Sequence, residues 1–336
     1  MRRVVNGTIN SEGGGSSHKV LVIGDLILDK YISGRCSRIS PEAPVPVVVE
    51  EKTEYRAGGA ANVALNLKAL GVDCALVGIT GRDDEARILM DLVGDIPTHF
   101  QQEDIPTTLK TRFLIDGHHA LGRIDRESVG EFKDILKYVS GHIGAGTDVV
   151  IVSDYGKHFK TAIPIIIREA VARGAHVIVD PQSDDWVSYA GATTVTPNLK
   201  EISGEVYGDK AVESMYWLRM RYDIENILVT RGGDGLFHSS SDGCVEDVPE
   251  KSEVVDATGA GDTVVAAFAA GVLAELSNRD CLRFANAAAG DVCRKKGTAV
   301  VDESFAPWAL DGWFDYMTDK TQRKKEKARH KHRDGP

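Results

Sequence analysis

The feature of this chain that most restricts its fold is a repeated alternation between short apolar runs and helix-like segments. The run 19–24 is continuously apolar after its first residue, as a strand covered on both faces must be. Further strands are predicted at 73–78, 148–153, 176–179, 193–198 and 226–230, and helices at 83–93, 162–173 and 280–296. Another helix is predicted to open in 56–64 and to end near residue 71. This order predicts an α/β fold with a doubly wound, mainly parallel sheet flanked by helices.

Two segments do not fit the parallel sheet. The stretch 39–50 mixes three prolines with β-branched residues, and proline belongs on edge strands. The stretches 108–115 and 122–125 alternate polar and apolar residues and could pair with it. We therefore expect a small β-sheet lid built from segments at about 31–57 and 107–126.

The stretch 255–263, Val-Asp-Ala-Thr-Gly-Ala-Gly-Asp-Thr, precedes an alanine-rich helix. Gly259, Ala260 and Gly261 leave backbone amides open at the helix N-terminus, where an anion is favoured. Asp262 lies in the first turn and is predicted to be a general base. A tight turn with a capping aspartate is the simpler interpretation, but the second aspartate, Asp256, favours the catalytic one.

Polar residues and glycines also follow the predicted strands near the start of the chain. Asp25 and Asp29 come after the first strand, at the sheet edge where α/β proteins bind ligands, and we favour binding of sugar hydroxyls over turn capping. Gly58, Gly59 and Asn62 open the next helix. They permit close backbone approach and present an amide, although simple helix entry explains the glycines equally well.

The second half of the chain offers residues for a nucleotide and a metal. Asn198 and Glu201 could hold magnesium through water, but an Asn N-cap with its reciprocal Glu fits the same spacing. The strand ending at Thr230 is followed by Arg231, Gly233 and Gly235, which could approach a nucleotide. Asn286 lies among alanines that leave room for a flat base, although close helix packing accounts for them as well.

Composition excludes several classes of protein. The formal net charge of −10 over 336 residues disfavours nucleic acid and anionic membranes as partners, so an anionic substrate requires individually placed Arg and Lys residues. The five cysteines form no C-x-x-C pair, no apolar run reaches the length of a membrane span, and no signal peptide is evident. We expect a cytoplasmic protein with a disordered leader at 1–17, a folded domain at 18–312 and a charged tail at 313–336.

The motifs 255–263, 56–64, Gly24-Asp25-x-x-x-Asp29 and Asn198-x-x-Glu201 together resemble the ribokinase-like (PfkB) carbohydrate kinases over nearly all of residues 18–301. The segments 37–48, 196–199 and 284–290 are similar more narrowly to the D-glycero-β-D-manno-heptose 7-phosphate kinases, the kinase part of ADP-heptose synthesis. The resemblance implies transfer of the ATP γ-phosphoryl group to the C1 hydroxyl of that sugar, giving the 1,7-bisphosphate.

The resemblance also implies roles for individual residues. Asp262 would be the base, and the amides of Gly259, Ala260 and Gly261 the anion hole. Sugar hydroxyls would be held by Asp25, Asp29, Gly58, Gly59 and Asn62. Asn198 and Glu201 would organise Mg²⁺, a monovalent cation such as K⁺ would lie at Asp256, Thr258 and the loop 297–301, and the nucleotide would contact Asn198, Thr230, Arg231, Gly233, Gly235, Thr258, Gly259, Gly261 and Asn286.

A sugar phosphate also needs cations for its existing phosphate. The candidates lie in or beside the predicted lid, and we expect about two of them to matter: Arg38, Arg56, Lys110, Arg112 and Arg123. The exposed strand edges of the lid predict a homodimer.

Two departures from the heptose kinase pattern leave alternatives open. Gln182 stands in Asp180-Pro181-Gln182, where these kinases usually have lysine, and no His-x-Gly-His segment of a nucleotidyltransferase is present. We therefore expect a separate adenylyltransferase to act in the same pathway. The alternatives are a kinase for another sugar or sugar phosphate, and a catalytically weak sugar-phosphate sensor.

Overall fold

The computed structural model describes residues 18–115, 119–130, 135–144, 146–202, 211–249 and 253–302. The strands, in chain order, are β1 Val20–Gly24, β2 Leu26–Ile39, β3 Pro46–Gly59, β4 Cys74–Thr80, β5 Thr98–Gln102, β6 Thr108–Ile115, β7 His119–Arg126, β8 Val149–Ser153, β9 His176–Asp180, β10 Thr194–Val195, β11 Asn226–Thr230, β12 Leu236–Ser240 and β13 Gly243–Asp247. The helices are α1 Ala60–Ala69, α2 Asp84–Val93, α3 Ile135–Ser140, α4 Ile163–Ala172, α5 Leu199–Ile202, α6 Ala211–Tyr222, α7 Ala260–Leu273 and α8 Asn278–Val292.

Nine strands form the large sheet in the order β13-β12-β11-β10-β9-β8-β1-β4-β5. The pairs from β5 to β11 are parallel, and the pairs β11–β12 and β12–β13 at one end are antiparallel. The strand order reverses beside β1, since the chain passes from β1 to β4 on one side and later to β8 on the other. Ligands of doubly wound sheets bind at this kind of position, beyond the carboxyl ends of the strands.

The central strands are buried on both faces, which explains their continuous apolar sequence. In β1, Val20 and Val22 pack into the core formed with α1, α7 and α8. Leu21 and Ile23 point to the opposite core, formed with α3, α4 and α6. Adjacent residues of one strand therefore contribute to two hydrophobic cores, and a polar residue at any of these four positions would be buried without water.

A second, smaller sheet has the order β3-β2-β6-β7. Strand β2 continues directly from the end of β1, pairs antiparallel with β3 and pairs parallel with β6. Pro46 is the first residue of the edge strand β3, a position at which its missing N–H breaks no interior ladder. Because β1 leads straight into β2, the small sheet stands at the carboxyl edge of the large one.

This architecture confirms the predicted fold class, with a large, mainly parallel sheet flanked by helices and a second small sheet. The segment 193–198 forms only the two-residue strand β10, because Asn198 already turns into α5. Strand β5 and the hairpin β12–β13 were not predicted from the sequence. The expected leader 1–17, the tail 313–336 and the end of the kinase domain at 312 lie outside the described residues.

Asp83 is the N-cap of α2, and its contribution to the stability of the fold can be measured. Its carboxylate accepts hydrogen bonds from Ala86 N at 3.0 Å and from both the backbone N and the hydroxyl of Thr107, at 2.8 and 2.6 Å. Burial raises the pKa of Asp83, but these hydrogen bonds outweigh it and the net shift is downward. The ionised carboxylate therefore stabilises the fold at neutral pH, and this contribution disappears as the pH falls through the lowered pKa.

We expect Asp83→Ala to lower the free energy of unfolding by about 1–2 kcal/mol at pH 7, the usual effect of losing an N-cap. Thermal melts at pH 7 and pH 3 measure it, and the difference between variant and wild type should shrink at pH 3. Asp84→Ala is the matched control, since Asp84 is exposed and pairs only with the exposed Arg87. Equal effects of the two substitutions would contradict the capping role.

Candidate active site

The candidate site is a cavity of about 220 Å³ at the carboxyl edge of the large sheet. Its walls come from the ends of β8, β9 and β11, from the start of α5 and from the head of α7. The lining residues are Asp154, Tyr155, Asp180, Pro181, Gln182, Asn198, Glu201, Thr230, Gly259, Gly261 and Asp262. Residues far apart in the sequence meet here because parallel strands end at a common edge.

The backbone at the head of α7 requires glycine at one position. Gly259 is the N-cap, and its φ of 82° lies in the left-handed region that side chains rarely adopt. A Cβ atom at this position would lie 2.8 Å from Asn62 Nδ2. Gly259 and Gly261 line the cavity, whereas the N–H of Ala260 donates to the carbonyl of Ala257 at 3.2 Å.

Asp262 is the most enclosed carboxylate of the cavity, with 4 % of its surface exposed. Its Oδ2 accepts a hydrogen bond from Asn62 Nδ2 at 2.7 Å, and its Oδ1 accepts one from the hydroxyl of Tyr155 at 2.9 Å. Burial raises the pKa of Asp262 to about 6, against the opposing effect of these two hydrogen bonds. A carboxylate with this pKa is ionised at neutral pH and can take a proton from a hydroxyl group.

Asp25, predicted to bind sugar hydroxyls, is 1 % exposed and holds a loop of the protein itself. Its Oδ2 accepts from the backbone N–H of Tyr155 and Lys157 at 2.8 and 3.0 Å, and its Oδ1 accepts from that of His158 at 3.0 Å. These three bonds fix the loop after β8 against the start of β2. Direct contact between Asp25 and a sugar stays a prediction.

Asp29, the second predicted sugar ligand, connects the small sheet to the loop after α8. Its Oδ2 accepts a hydrogen bond from Thr298 Oγ1 at 2.7 Å, and its Oδ1 pairs with Arg112. Burial lowers the pKa of Arg112, but the neighbouring carboxylate of Asp29 outweighs this and the net shift is upward. Gly58, also assigned to sugar binding, lies so close that a Cβ there would be 2.6 Å from Asp29 Oδ2.

The five cations predicted for a sugar phosphate have different surroundings. Lys110 Nζ lies 5.2 Å from the centroid of the ring of Tyr155, which lines the cavity. Arg56 donates to the carbonyls of Lys296 and Thr298, and so braces the loop after α8. Arg112 pairs with Asp29, Arg123 pairs with Asp125, and Arg38 is exposed at the far end of β2.

The predicted monovalent-cation region is a compact turn. Asp256 Oδ1 accepts from the backbone N and hydroxyl of Thr258, at 2.9 and 2.7 Å, and its Oδ2 accepts from Gly297 N at 2.8 Å. Burial raises the pKa of Asp256, but these bonds prevail and the net shift is downward. The lowered pKa keeps Asp256 ionised at neutral pH, and binding of K⁺ beside it stays a prediction.

Asn198 and Glu201, which were predicted to hold magnesium, form an N-cap with a reciprocal hydrogen bond. This was the alternative interpretation of their spacing in the sequence. Asn198 Oδ1 accepts from the backbone N of Lys200 and Glu201, at 2.8 and 3.1 Å, and Glu201 Oε2 accepts from Asn198 N at 2.7 Å. Burial raises the pKa of Glu201, and also that of Asp154 and Asp180 in the same cavity. Within the described residues no three His, Cys, Asp or Glu side chains form a metal cluster. The oxygens present fit a hydrated Mg²⁺ held partly by phosphates rather than a fully protein-ligated ion.

The residues assigned to the nucleotide are spread along the β11 edge. Thr230 lines the cavity, while Arg231 pairs with Glu246 and donates to the carbonyl of Asp234. Gly235 has a φ of 85°, and a Cβ there would lie 2.2 Å from the carbonyl oxygen of Asp247. Asn286 Nδ2 donates to Asp247 Oδ2 at 2.8 Å. Gly233 lies in the short turn between β11 and β12, open on its outer side.

Sequence reasoning missed Tyr155, which lines the cavity, and two residues that bond to the predicted site residues or their neighbours. Tyr155 and Lys157 belong to the loop after β8, where only Asp154 had been noted as the end of a strand. Tyr31 accepts a hydrogen bond from Thr298 N at 3.0 Å through its hydroxyl. The polar run directly after a buried strand was the available signal, because such positions lie at the ligand edge of the sheet.

Solved structures share this fold. Arabidopsis thaliana ribokinase, solved with ribose and ATP, superposes with a TM-score of 0.70 at 20 % identity, over 88 % of this chain and 99 % of that one. Phosphofructokinase-2 from Escherichia coli, solved with potassium, gives 0.72 at 18 % identity, over 86 % and 96 %. At these sequence identities the likeness defines the fold class of the protein.

The amino-acid sequence shows which family the protein belongs to. The model of the pfkB family carbohydrate kinases matches residues 17–304, and the chain belongs to this family. It is 42 % identical over 294 residues to bifunctional protein HldE of Coxiella burnetii, and 40 % identical over 318 residues to that of Vibrio parahaemolyticus. These alignments cover 84 and 89 % of this chain but 62 and 65 % of those proteins, so the chain spans less than two thirds of their length.

The helices of the described residues are all too short or too polar to cross a lipid bilayer.

Proposed function

We propose that this sugar kinase transfers the γ-phosphoryl group of ATP to the C1 hydroxyl of D-glycero-β-D-manno-heptose 7-phosphate. The observation that carries the proposal is the buried carboxylate of Asp262 at the head of α7, beside Gly259 and Gly261. A base and an anion-binding helix terminus side by side are what phosphoryl transfer to an alcohol requires.

In this proposal Asp262 accepts the proton of the attacking hydroxyl, and the amides of Gly259 and Gly261 stabilise charge on the transferred group. The side chain of Asn62 holds the carboxylate while it reacts. When bound beside Asn198 and Glu201, Mg²⁺ would neutralise charge on the nucleotide phosphates. Asp256 and Thr258 would hold K⁺, and Thr230 would contact the nucleotide.

The choice of sugar rests on the relatives and on the cations around the small sheet. The relatives at about 40 % identity carry the name HldE. Lys110 is the candidate closest to the cavity that forms no ion pair within the described residues, and it lies over the Tyr155 ring. A phosphate on the sugar would meet Lys110 first, with Arg38 or Arg123 reaching it if the small sheet closes.

A kinase for a different sugar or sugar phosphate is the first alternative, because the fold and the base do not define the acceptor. A catalytically weak sensor is the second, and Gln182 is the observation that favours it. A panel assay separates the three. ADP release is measured with ATP and magnesium on heptose 7-phosphate, sedoheptulose 7-phosphate, fructose 6-phosphate, ribose and adenosine.

We expect turnover to be fastest with heptose 7-phosphate. Faster turnover with another acceptor would replace the proposed substrate while leaving the mechanism intact. Binding of a sugar phosphate without ADP release, measured by calorimetry, would establish the sensor instead.

A substitution at Gln182 provides a second test of the proposed function. Four of the described residues that line the cavity are carboxylates, and none of them is Lys or Arg. We expect Gln182→Lys to leave kcat intact or raise it and to lower the KM for ATP, since a cation there would offset the carboxylates and attract phosphates. Steady-state kinetics measure both. Gln182→Met, similar in size and uncharged, is the control. Complete loss of activity in the lysine variant would mean that the position is built around the amide.

We also propose a cytoplasmic homodimer that pairs through the small sheet, with a separate adenylyltransferase consuming the product. Large apolar side chains lie exposed on that sheet: Ile39 is 61 %, Val49 56 % and Ile124 62 % exposed. An exposed apolar sheet with free edges favours pairing with a second copy. Light scattering at micromolar concentration tests this, and a monomer would contradict it.

A further inference from the structure

Tyr155 touches the base of the proposed reaction without a role in the assignments above. Its hydroxyl donates to Asp262 Oδ1 at 2.9 Å, and Lys110 Nζ lies 5.2 Å from the centroid of its ring. Burial first of all, and then the charge of Asp262, raises the pKa of Tyr155 well above its usual value. The hydroxyl therefore stays protonated and available as a donor throughout the neutral range.

The backbone around Tyr155 is held tightly, so its hydroxyl has a defined position. Asp25 accepts from the backbone N–H of Tyr155, Lys157 and His158, all within 3.0 Å. Asp154 Oδ1 accepts from the N–H of Gly156 at 2.7 Å, and Gly156 turns the chain with a φ of 68°. Four hydrogen bonds over four successive residues thus fix the loop that carries the ring.

The two donors that hold Asp262 differ in what they can do after proton transfer. Asn62 Nδ2 can only donate, and its amide orientation is set by Asn66 Nδ2, which lies 3.3 Å from Asn62 Oδ1. The hydroxyl of Tyr155 can rotate and accept instead. A newly protonated Asp262 could therefore donate to Tyr155 but not to the amide nitrogen of Asn62.

We propose that Tyr155 is the positioning residue of Asp262: its hydroxyl holds the carboxylate oxygen before proton transfer and accepts a hydrogen bond from the protonated carboxyl group afterwards. The inference rests on the proposed function. In the step, the acceptor O–H bond breaks and its proton bonds to Asp262. The sugar oxygen bonds to the γ-phosphorus as the bond to the leaving ADP oxygen breaks. Tyr155 keeps its own proton.

The charged groups facing Asp262 come from several elements. Asp29 on β2 raises its pKa and Lys110 on β6 lowers it, while Asp180 at the end of β9 interacts with it through their charges. The hydrogen bond from Tyr155 lowers the pKa of Asp262, because it stabilises the ionised form. Removing only that hydroxyl therefore leaves the other charges in place and raises the pKa of the base.

The test is Tyr155→Phe, with kcat measured from pH 5 to pH 9. We expect the acid limb of the profile, with its midpoint near 6 in the wild type, to move upward by about one pH unit. Turnover would then fall roughly fivefold more at pH 6 than at pH 8. Tyr189→Phe is the matched control: its hydroxyl is also buried and donates to a carboxylate, Asp154 Oδ2 at 2.7 Å, but does not contact Asp262. Its midpoint should stay in place.

A second readout does not depend on turnover. Carboxyl ¹³C NMR of aspartate-labelled protein, with the Asp262 signal assigned by its absence in Asp262→Asn, should show the same upward shift in Tyr155→Phe. A uniform fall in kcat at every pH, with an unmoved NMR titration, would overturn the inference. If the wild type transfers phosphoryl to none of the acceptors, the proposed function fails, and the NMR titration still decides whether Tyr155 controls Asp262.

Discussion

Asp262→Asn is expected to lower kcat by at least about a hundredfold, the scale of a lost general base, while the protein stays folded. The amide has the same shape as the carboxylate. Its oxygen can accept from Asn62 Nδ2, and its NH₂ can face the hydroxyl of Tyr155, which is able to accept. The loss should therefore fall on proton transfer, with the KM values for ATP and sugar changing little.

Asp262→Asn is also expected to stabilise the fold above the pKa of Asp262, although it replaces a native residue. Because burial raises the folded-state pKa of Asp262 from 3.8 to about 6, the ionised carboxylate destabilises the fold. That cost grows between these two pH values and is complete above the folded-state pKa. Asp262→Asn should accordingly raise the melting temperature by a few degrees at pH 8 and change it little at pH 4.

Asp291→Asn is the control for both readouts. Burial raises the pKa of Asp291, but its bonds to Lys295 and Asp302 N prevail and lower it, so this carboxylate stabilises the fold at neutral pH. Asp291 lies on α8 and outside the cavity, and its replacement should lower the melting temperature at pH 8 and leave kcat unchanged. Turnover near that of the wild type in Asp262→Asn would remove Asp262 from the mechanism.

Gly259→Ala is expected to lower kcat by roughly tenfold or more, because the head of α7 has no room for a methyl group. The added Cβ would lie 2.8 Å from Asn62 Nδ2 and 3.3 Å from Thr298 Cγ2. Asn62 would have to move away from Asp262 Oδ2, and a small displacement of a reacting group is costly in rate. The positive φ of 82° adds backbone strain.

Comparison with Gly71→Ala separates the effect of backbone strain from the effect of the steric clash in Gly259→Ala. Gly71 has a similar φ of 75°, but nothing lies within 4 Å of its Cβ position. Both variants should lose about 1–2 kcal/mol of stability to backbone strain, whereas only Gly259→Ala should lose turnover. Thermal melts and kcat measured on the same preparations provide the comparison. If both variants keep full activity, close packing at the helix head does not control the base.

Much of the candidate site was readable from the sequence because its parts are local. Gly259 and Asp262 are three residues apart, so a single turn of helix carries both the amides of the helix head and the carboxylate. The alternation of strands and helices similarly predicted the sheet, since burial on both faces leaves a continuous apolar run in β1 and β8. Propensity and periodicity act within such short windows.

The small sheet was partly predictable for the same reason. Pro46 marks the start of an edge strand, and the alternation in β6 is visible in the sequence. The pairing of its strands was not predictable, because β2 and β6 pair in parallel across about eighty intervening residues. The extra edge strand β5 and the hairpin β12–β13 were missed because their residues are only partly apolar and their pairing is decided by the sheet beside them.

The sequence by itself therefore determined the fold class, the family and the residue types at the head of α7. The tertiary structure decided which partner each of those residues has. Asp25 turned out to hold the loop 155–158, Arg56 to brace the loop after α8, and Tyr155 to hold Asp262 across 107 residues of chain. Hydrogen bonds between distant segments leave no periodic trace in a sequence, because they depend on where strands end in space rather than on the spacing of residues along the chain.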